Sequence, residues 1–353
     1  MTLTDLEDLA RSKLPKSVYD YYAGGAHDEV TLRENTAAWA RLKLHYRVLV
    51  DVSQRSTATT VLGQPVSMPV LVAPTAFHRL ATPEGELATV RAAGKAGTVM
   101  ILSSLSNTPV EEVVKASTGP VWFQLYVYKD RAATLDLLAR VEAAGCKALV
   151  LTVDMPMAGL RERDVKNRFV LPETLEVANM SAAGYGTMTP TVGSGFAAYI
   201  AERLDPALSW KDVAWLESKT RLPLLVKGLI RADDARHAAN AGAKGIVVSN
   251  HGGRQLDGAP SSISVLPGIV DAVGSEIEVM FDSGIRSGQD VMRALALGAK
   301  SCMIGRAYIY GLGAYGGPGV TKALDILRNE LSVTMGLCGV NTIAEIDKHV
   351  LVH

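Results

Sequence analysis

The sequence predicts an α/β protein, a (β/α)8 TIM barrel carrying an N-terminal helical cap and a long lid loop after its fourth strand. Three observations lead there. Short apolar runs rich in β-branched residues recur from residue 69 onward. Segments rich in Ala, Leu and Glu alternate with them, as βα units around a parallel sheet require. Polar residues gather directly after the apolar runs, where such barrels place their working groups. One domain is expected over 1–353: a cap over 1–45, a barrel over 46–340 with the lid at about 157–209, and a tail over 341–353.

In chain order, Leu3, Leu6, Leu9 and Leu14 stand at helical spacing, and Val18-Tyr19-Asp20-Tyr21-Tyr22 runs into Gly24-Gly25, so the cap reads as helical up to the glycines. Strands are expected at 70–72, 99–102, 121–123, 148–151, 224–226, 245–248, 279–281 and 302–304. The best-marked helices run over 84–96, 131–144, 232–241 and 288–297, each followed by a glycine-containing turn. The connection over 157–209, with a centre rich in Gly, Ser, Thr, Ala and Met, is too long for an ordinary loop and reads as a mobile lid over the site. An open doubly wound sheet would carry its phosphate loop after the first strand, yet Ala73-Pro74-Thr75-Ala76 has no glycine. The glycine-rich stretch from Gly311 to Gly319 follows no strand directly and reads as a linker to a last helix over 320–337.

Composition narrows the partners. The 36 basic and 36 acidic residues cancel, so no global field favours nucleic acid or an anionic membrane. No apolar run reaches the roughly 18 residues that span a bilayer, and the first residues lack a basic-then-apolar leader. Cys146, Cys302 and Cys338 are isolated and show no metal-ligand spacing. A soluble cytoplasmic protein with reduced cysteines, no metal and a small-molecule ligand is expected.

The strand ends carry the chemistry. Ser249-Asn250-His251-Gly252-Gly253-Arg254 follows the apolar Gly245–Val248 run, joining a proton acceptor for neutral pH to a guanidinium that can hold a carboxylate through two hydrogen bonds. Asp154, at another strand end, either caps a turn or orients His251 as the third member of a base assembly, and the second reading is preferred. Arg161 sits in Arg161-Glu162-Arg163-Asp164, which alone reads as a solvated charge cluster. Lys227 admits two readings, a Schiff-base amine or a charge beside an electron-rich cofactor. Asp282 to Gly288 and Gly305-Arg306 bring glycine backbone and arginines after the last two strands, a common phosphate site in barrels.

Taken together, these residues resemble the FMN-dependent 2-hydroxy-acid oxidases and dehydrogenases, the family of glycolate oxidase, lactate oxidase and mandelate dehydrogenase. The resemblance covers nearly the whole chain, through Leu14-Pro15-Lys16-Ser17-Val18-Tyr19-Asp20-Tyr21-Tyr22, Ala73-Pro74-Thr75-Ala76, Phe123-Gln124-Leu125-Tyr126, Thr152-Val153-Asp154, Lys166-Asn167-Arg168-Phe169, Leu225-Val226-Lys227-Gly228 and the Ser249 block. It implies that His251 is the active-site base paired with Asp154, that Arg161 and Arg254 hold the substrate carboxylate with help from Tyr21, and that Tyr126 bonds near the substrate hydroxyl. It implies an FMN site formed by Thr75, Ala76, Ser103, Gln124, Thr152, Lys227 and Ser249, with Asp282, Gly284, Arg286, Gly305 and Arg306 around ribose and phosphate. Lys227 would then stay charged beside the flavin. The implied reaction oxidises an (S)-2-hydroxy acid to the 2-keto acid, His251 taking either the α-proton or the hydroxyl proton, with dioxygen reduced to hydrogen peroxide. A homo-oligomer, in the family a tetramer, is also implied.

Substrate size is read from departures. Glycolate-oxidase-like members carry tryptophan after the paired serines, whereas this chain has Leu105. Leu105, Phe77, Met155, Met157 and Ala158 are expected to line an apolar pocket that suits an aromatic ring. Within the family the chain looks most like mandelate-type oxidases, with mandelate or 4-hydroxymandelate as substrate, the latter a step toward glycopeptide antibiotics. An aliphatic acid such as lactate or glycolate is the alternative. Ala76, where mandelate dehydrogenases tend to have glycine, favours oxygen over another acceptor. A barrel lyase using Lys227 is a more distant alternative.

Overall fold

The computed structural model describes residues 1–352; the final residue of the 341–353 tail lies outside the described residues. Eight parallel strands close into a barrel: β1 (Val70–Val72), β2 (Met100–Ser103), β3 (Val121–Leu125), β4 (Leu149–Thr152), β5 (Leu224–Leu229), β6 (Gly245–Val248), β7 (Glu278–Asp282) and β8 (Ser301–Ile304). Closure comes from β8 pairing with β1, Cys302 opposite Val70 and Ile304 opposite Val72. All eight expected strands are present, some displaced or extended at their ends. Both strand faces are buried, which is why the runs read as continuous rather than alternating. Leu71, Ile101, Trp122, Val150, Leu225, Val247, Met280 and Met303 fill the interior, while their neighbours pack outward under the helices.

A short ribbon, Thr59–Val61 paired with Gln64–Val66, closes the N-terminal mouth. Val61 and Val66 join the interior cluster, the Trp122 indole N–H donates to Gln64 Oε1 at 3.2 Å, and the Leu62 N–H donates to the Glu278 carboxylate at the start of β7, at 3.0 Å. Access to the interior is thereby directed to the opposite, C-terminal mouth.

The cap over 1–45 holds three α-helices, Leu3–Lys13, Lys16–Ala23 and Val30–Ala37, and a 3-10 turn at Ala38–Arg41. Leu3–Lys13 starts from a capping box between Thr2 and Asp5 and ends at Leu14, which is extended (φ −78°, ψ 145°) because the following Pro15 disfavours helical backbone there. Lys16–Ala23 resumes and delivers Tyr21 and Tyr22 to the mouth. The stretch from Gly311 to Gly319 is not a linker. It is helical through Tyr315, within Arg306–Tyr315, and again from Gly317, within Gly317–Cys338. Its glycines allow those helices to touch backbone to backbone: a Cβ on Gly311 would lie 2.3 Å from the Gly319 carbonyl oxygen.

The 157–209 connection holds helices at Glu162–Lys166 and Gly195–Arg203 and a 3-10 turn at Ala178–Ala183. Phe169, Leu171, Val177, Met180, Phe196, Tyr199 and Ile200 are buried in the main core, so this segment is packed down over the mouth. Among the described residues no helix is long and apolar enough to cross a membrane, and no cluster of His, Cys, Asp and Glu could hold a metal ion. The three cysteines are buried and free.

Candidate active site

The loop after β6 owes its shape to three successive residues with left-handed backbone, His251 (φ 59°), Gly252 (φ 67°) and Gly253 (φ 72°). Two glycines carry most of that burden, since an ordinary side chain is disfavoured there. The turn presents the imidazole to a cleft of about 1000 Å³, open to solvent, at the C-terminal mouth. His251 Nδ1 is 2.8 Å from Asp154 Oδ1. A carboxylate only accepts, so Nδ1 carries the proton and Nε2 is left as the basic nitrogen. Asp154 fits because residue 228 is glycine: a Cβ there, at φ 108°, would stand 2.5 Å from Asp154 Cγ. Gln255 completes the support, donating from Nε2 to the Asp154 backbone carbonyl at 2.8 Å.

Burial lowers the His251 pKa below its ordinary value, with Lys227 and Arg161 pushing the same way and Asp154 opposing. The imidazole is therefore neutral at neutral pH and able to accept a proton. Burial works against ionisation of Asp154, yet His251 and Lys227 outweigh it and hold the carboxyl below its usual range. Burial also works against charge on Lys227, but Asp282 and Asp154 prevail and its pKa is raised. Its Nζ lies 3.1 Å from Asp282 Oδ2 and donates to Ser249 Oγ at 2.9 Å. That ammonium is unsuited to Schiff-base formation, which needs a free amine.

Four guanidiniums ring the cleft: Arg161, Arg254, Arg286 and Arg306. Arg161 is only 4% exposed, so the solvated-cluster reading of its sequence neighbourhood is corrected. The lid buries it against the Phe196 ring, 4.9 Å from its centroid, and its Nε donates to the Arg254 carbonyl at 3.3 Å. Arg254 lies over Tyr21, 5.1 Å from the ring centroid, and donates to the Tyr21 and Gly24 carbonyls at 2.6 and 2.9 Å. Arg306 donates to the Tyr22, Gly24 and Gly252 carbonyls. Burial, then repulsion from neighbouring arginines, brings Arg306 down to about 9; burial and Arg254 bring Arg161 down to about 10. Cations so placed call for anionic ligands. The Arg306–Tyr315 helix begins at Gly305 with no side-chain cap, leaving N–H groups of the kind that bind phosphate.

The remaining polar atoms suit a flat heterocycle. Gln124 Nε2 and Thr152 Oγ1 are buried without a partner, and Ser103 Oγ donates to Gln124 Oε1 at 3.1 Å. Thr75 and Ala76, after β1, line the same cleft. Gly284 (φ 86°) brings the loop after β7 against the cap, where a Cβ would fall 1.9 Å from the Asn35 carbonyl oxygen. Tyr126 also lines the cleft; burial, then Asp154, raises its pKa so that the phenol keeps its proton. Burial likewise raises Tyr21, against the pull of Arg254 and Arg161.

Most residues singled out from sequence converge here, but several are placed differently. Asp154 stands behind His251, and Ser249 is fully buried beneath Lys227. Phe77 is fully buried and not part of the cleft lining; it packs behind Tyr21 and Phe196, at 5.8 and 6.2 Å between centroids. Met155 lines a separate cavity and Met157 is exposed. Ala158 packs against the core rather than lining the cleft. The expected apolar lining reduces to Leu105, joined by Phe196 from the lid. Sequence reading missed Phe196 because nothing in its spacing distinguishes it from Tyr185 or Tyr199. Tyr22, Ser283, Ile285 and Ile309 also line the cleft.

Comparison with known proteins agrees with this geometry. The family model for FMN-dependent dehydrogenase matches residues 10–353. Glycolate oxidase 3 of Oryza sativa subsp. indica is 50% identical over 347 residues, covering 98% of this chain and 95% of its own. The glycolate oxidase of Spinacia oleracea is 49% identical over 346 residues, covering 98% and 94%. Among solved structures, mandelate oxidase with (S)-4-hydroxymandelic acid superposes with a TM-score of 0.93 at 42% identity, covering 97% of this chain and 96% of its own. A neutral base in a cationic cleft at the barrel mouth, together with these matches, identifies the chain as a member of the FMN-dependent dehydrogenase family, a flavin-dependent 2-hydroxy-acid oxidase.

Proposed function

We propose that the protein oxidises an (S)-2-hydroxy acid bearing an aromatic side chain, mandelate or 4-hydroxymandelate, to the 2-keto acid, with dioxygen as electron acceptor. The observation that carries the reaction is the 2.8 Å contact between Asp154 and His251 Nδ1, which leaves a basic Nε2 within a cleft lined by Arg161, Arg254, Tyr21 and Tyr126. The two guanidiniums bind the carboxylate and, with Tyr21, set the α-carbon toward the imidazole; Arg254 keeps one nitrogen on the cap carbonyls. His251 Nε2 takes the proton, and the charge it gains is balanced by Asp154. Tyr126 bonds the substrate hydroxyl and fixes its direction. Holding a weak carbon acid and its base in one orientation lowers the entropic part of the barrel-mouth reaction's barrier.

Thr75, Ala76, Ser103, Gln124, Thr152 and Lys227 would hold the flavin ring of FMN, Ser249 fixing Lys227 from behind. Asp282, Gly284, Arg286, Gly305 and Arg306 would hold its ribose and phosphate. Bound there, FMN supplies the acceptor for the two electrons released from the α-carbon. The Lys227 ammonium stands ready to stabilise negative charge at the ring edge.

Leu105 in place of a tryptophan, lining the same cleft as Phe196, supports the aromatic reading, as does the likeness to mandelate oxidase. The higher identity to plant glycolate oxidases favours a second reading, an aliphatic acid. Anaerobic flavin bleaching with glycolate, lactate, mandelate and 4-hydroxymandelate separates the two: the aromatic acids are expected to give the higher kcat/KM, and a preference for glycolate would reverse the assignment. Peroxide released on admitting air tests the acceptor. Free buried thiols support a reducing, cytoplasmic setting. Exposed Tyr46, Val48 and Leu49 support self-association.

A further inference from the structure

Beside the reaction centre lies a second cavity, of about 1000 Å³ with its open mouth included, which the steps above do not use. It lies beyond the ends of β3, β4 and β5 and under the last part of the lid connection. Tyr126 and Thr152 line both this cavity and the catalytic cleft, so the two spaces share a wall.

The two spaces differ in charge. The cleft is ringed by arginines, whereas the side cavity is lined by Val127, Met155, Leu204, Val213 and Leu229, all buried. Its acidic residues are Asp205 and Asp234, and no arginine or lysine lines it. Asp205 is engaged by Arg131 at 2.6 Å, and Ser209 donates to Asp212 at 2.7 Å. A hydroxy or keto acid would meet negative charge and no partner there. A small neutral molecule needs no ionic partner there and can lie against the buried Val127, Met155, Leu204, Val213 and Leu229 side chains. The side cavity thus offers a second approach to the wall of Tyr126 and Thr152, away from the arginines of the cleft.

We propose that this side cavity binds dioxygen and conducts it to the reaction centre past Tyr126 and Thr152. The inference rests on the reading that dioxygen is the acceptor: it takes two electrons and two protons from reduced FMN and leaves as hydrogen peroxide. Acids use the cationic front, dioxygen the side that holds no cation.

Leu208, part of the cavity lining and half-buried, allows a test at a residue outside the catalytic machinery. In Leu208→Trp the indole is expected to fill the cavity and slow reoxidation of the reduced enzyme by dioxygen about tenfold. The rate of flavin reduction by the hydroxy acid, and reoxidation by a bulky quinone dye acting from the front, should stay unchanged. Xenon, followed by its NMR shift, should bind the wild-type protein with or without FMN and be displaced in Leu208→Trp; the smaller change Leu208→Phe should fall between. Xenon displaced with dioxygen reactivity intact would overturn the passage, as would an equal slowing with the dye. Wild-type enzyme that hydroxy acid reduces but dioxygen does not reoxidise would instead overturn the oxidase reading on which the passage depends.

Discussion

At the residue scale, the burial that lowers the His251 pKa also sets the pH behaviour. The base works only when unprotonated, so kcat/KM is expected to rise with pH through an inflection below the ordinary histidine value of about 6.5 and to be flat at neutrality. Asp154 raises that pKa; hence Asp154→Asn should move the inflection to still lower pH while cutting the plateau about 10²- to 10⁴-fold through loss of the oriented imidazole. A pH–rate profile of both proteins checks the sign: an inflection moving upward would contradict it. Arg254→Met removes a charged hydrogen bond of ~1.5–3 kcal/mol, so KM for the acid should rise about ten- to a hundredfold. Steady-state kinetics read this directly, and unchanged KM would remove Arg254 from the carboxylate clamp. His251, Asp154 and Arg254 were legible in the sequence because polar groups after apolar runs have a fixed meaning in a barrel. The burial of Arg161 was not legible from its neighbours: a charge cluster reads as solvated until a distant lid phenylalanine is known to cover it.

At the level of elements, the strands were legible because a doubly buried strand is a short apolar run bounded by turn residues, and the barrel requires eight of them. The glycine-rich stretch from 311 to 319 was misread for a physical reason. Glycine signals a loop when its backbone is free, but here it lets two helices meet, and only the partner helix reveals which applies. Gly311→Ala would force its Cβ against the Gly319 backbone and is expected to cost about 1–3 kcal/mol of stability, measurable by denaturant unfolding; no loss would show that the helices can separate freely. Gly228→Ala makes a different prediction. Its positive φ and the approach to Asp154 should together displace the carboxylate. Loss of the upward pull of Asp154 on the His251 pKa, seen as a further downward shift in the kcat/KM profile, would accompany folded, FMN-binding protein; an unshifted profile would show that Asp154 keeps its place. The lid's length signalled a covering segment, but not its helices or buried aromatics, which form only against the barrel.

For the whole molecule, the closed sheet forces a division of labour. The ribbon at 59–66 shuts one mouth, and the cap, the lid and the loops after the strands converge on the other. Four arginines held there repel one another, so anionic ligands should stabilise the fold as well as occupy the site. FMN at a hundred times its Kd is expected to add about 2.7 kcal/mol, seen as a higher Tm; a Tm unmoved by FMN would contradict a preformed phosphate site.

The central claim is that His251 removes the substrate proton in this cationic cleft, and anaerobic rapid mixing with hydroxy acid tests it most directly. Wild-type protein should be yellow and bleach on mixing. His251→Ala should stay yellow, retain FMN and bleach about 10²- to 10⁴-fold more slowly. A His251→Ala protein that bleaches at the wild-type rate would contradict the account.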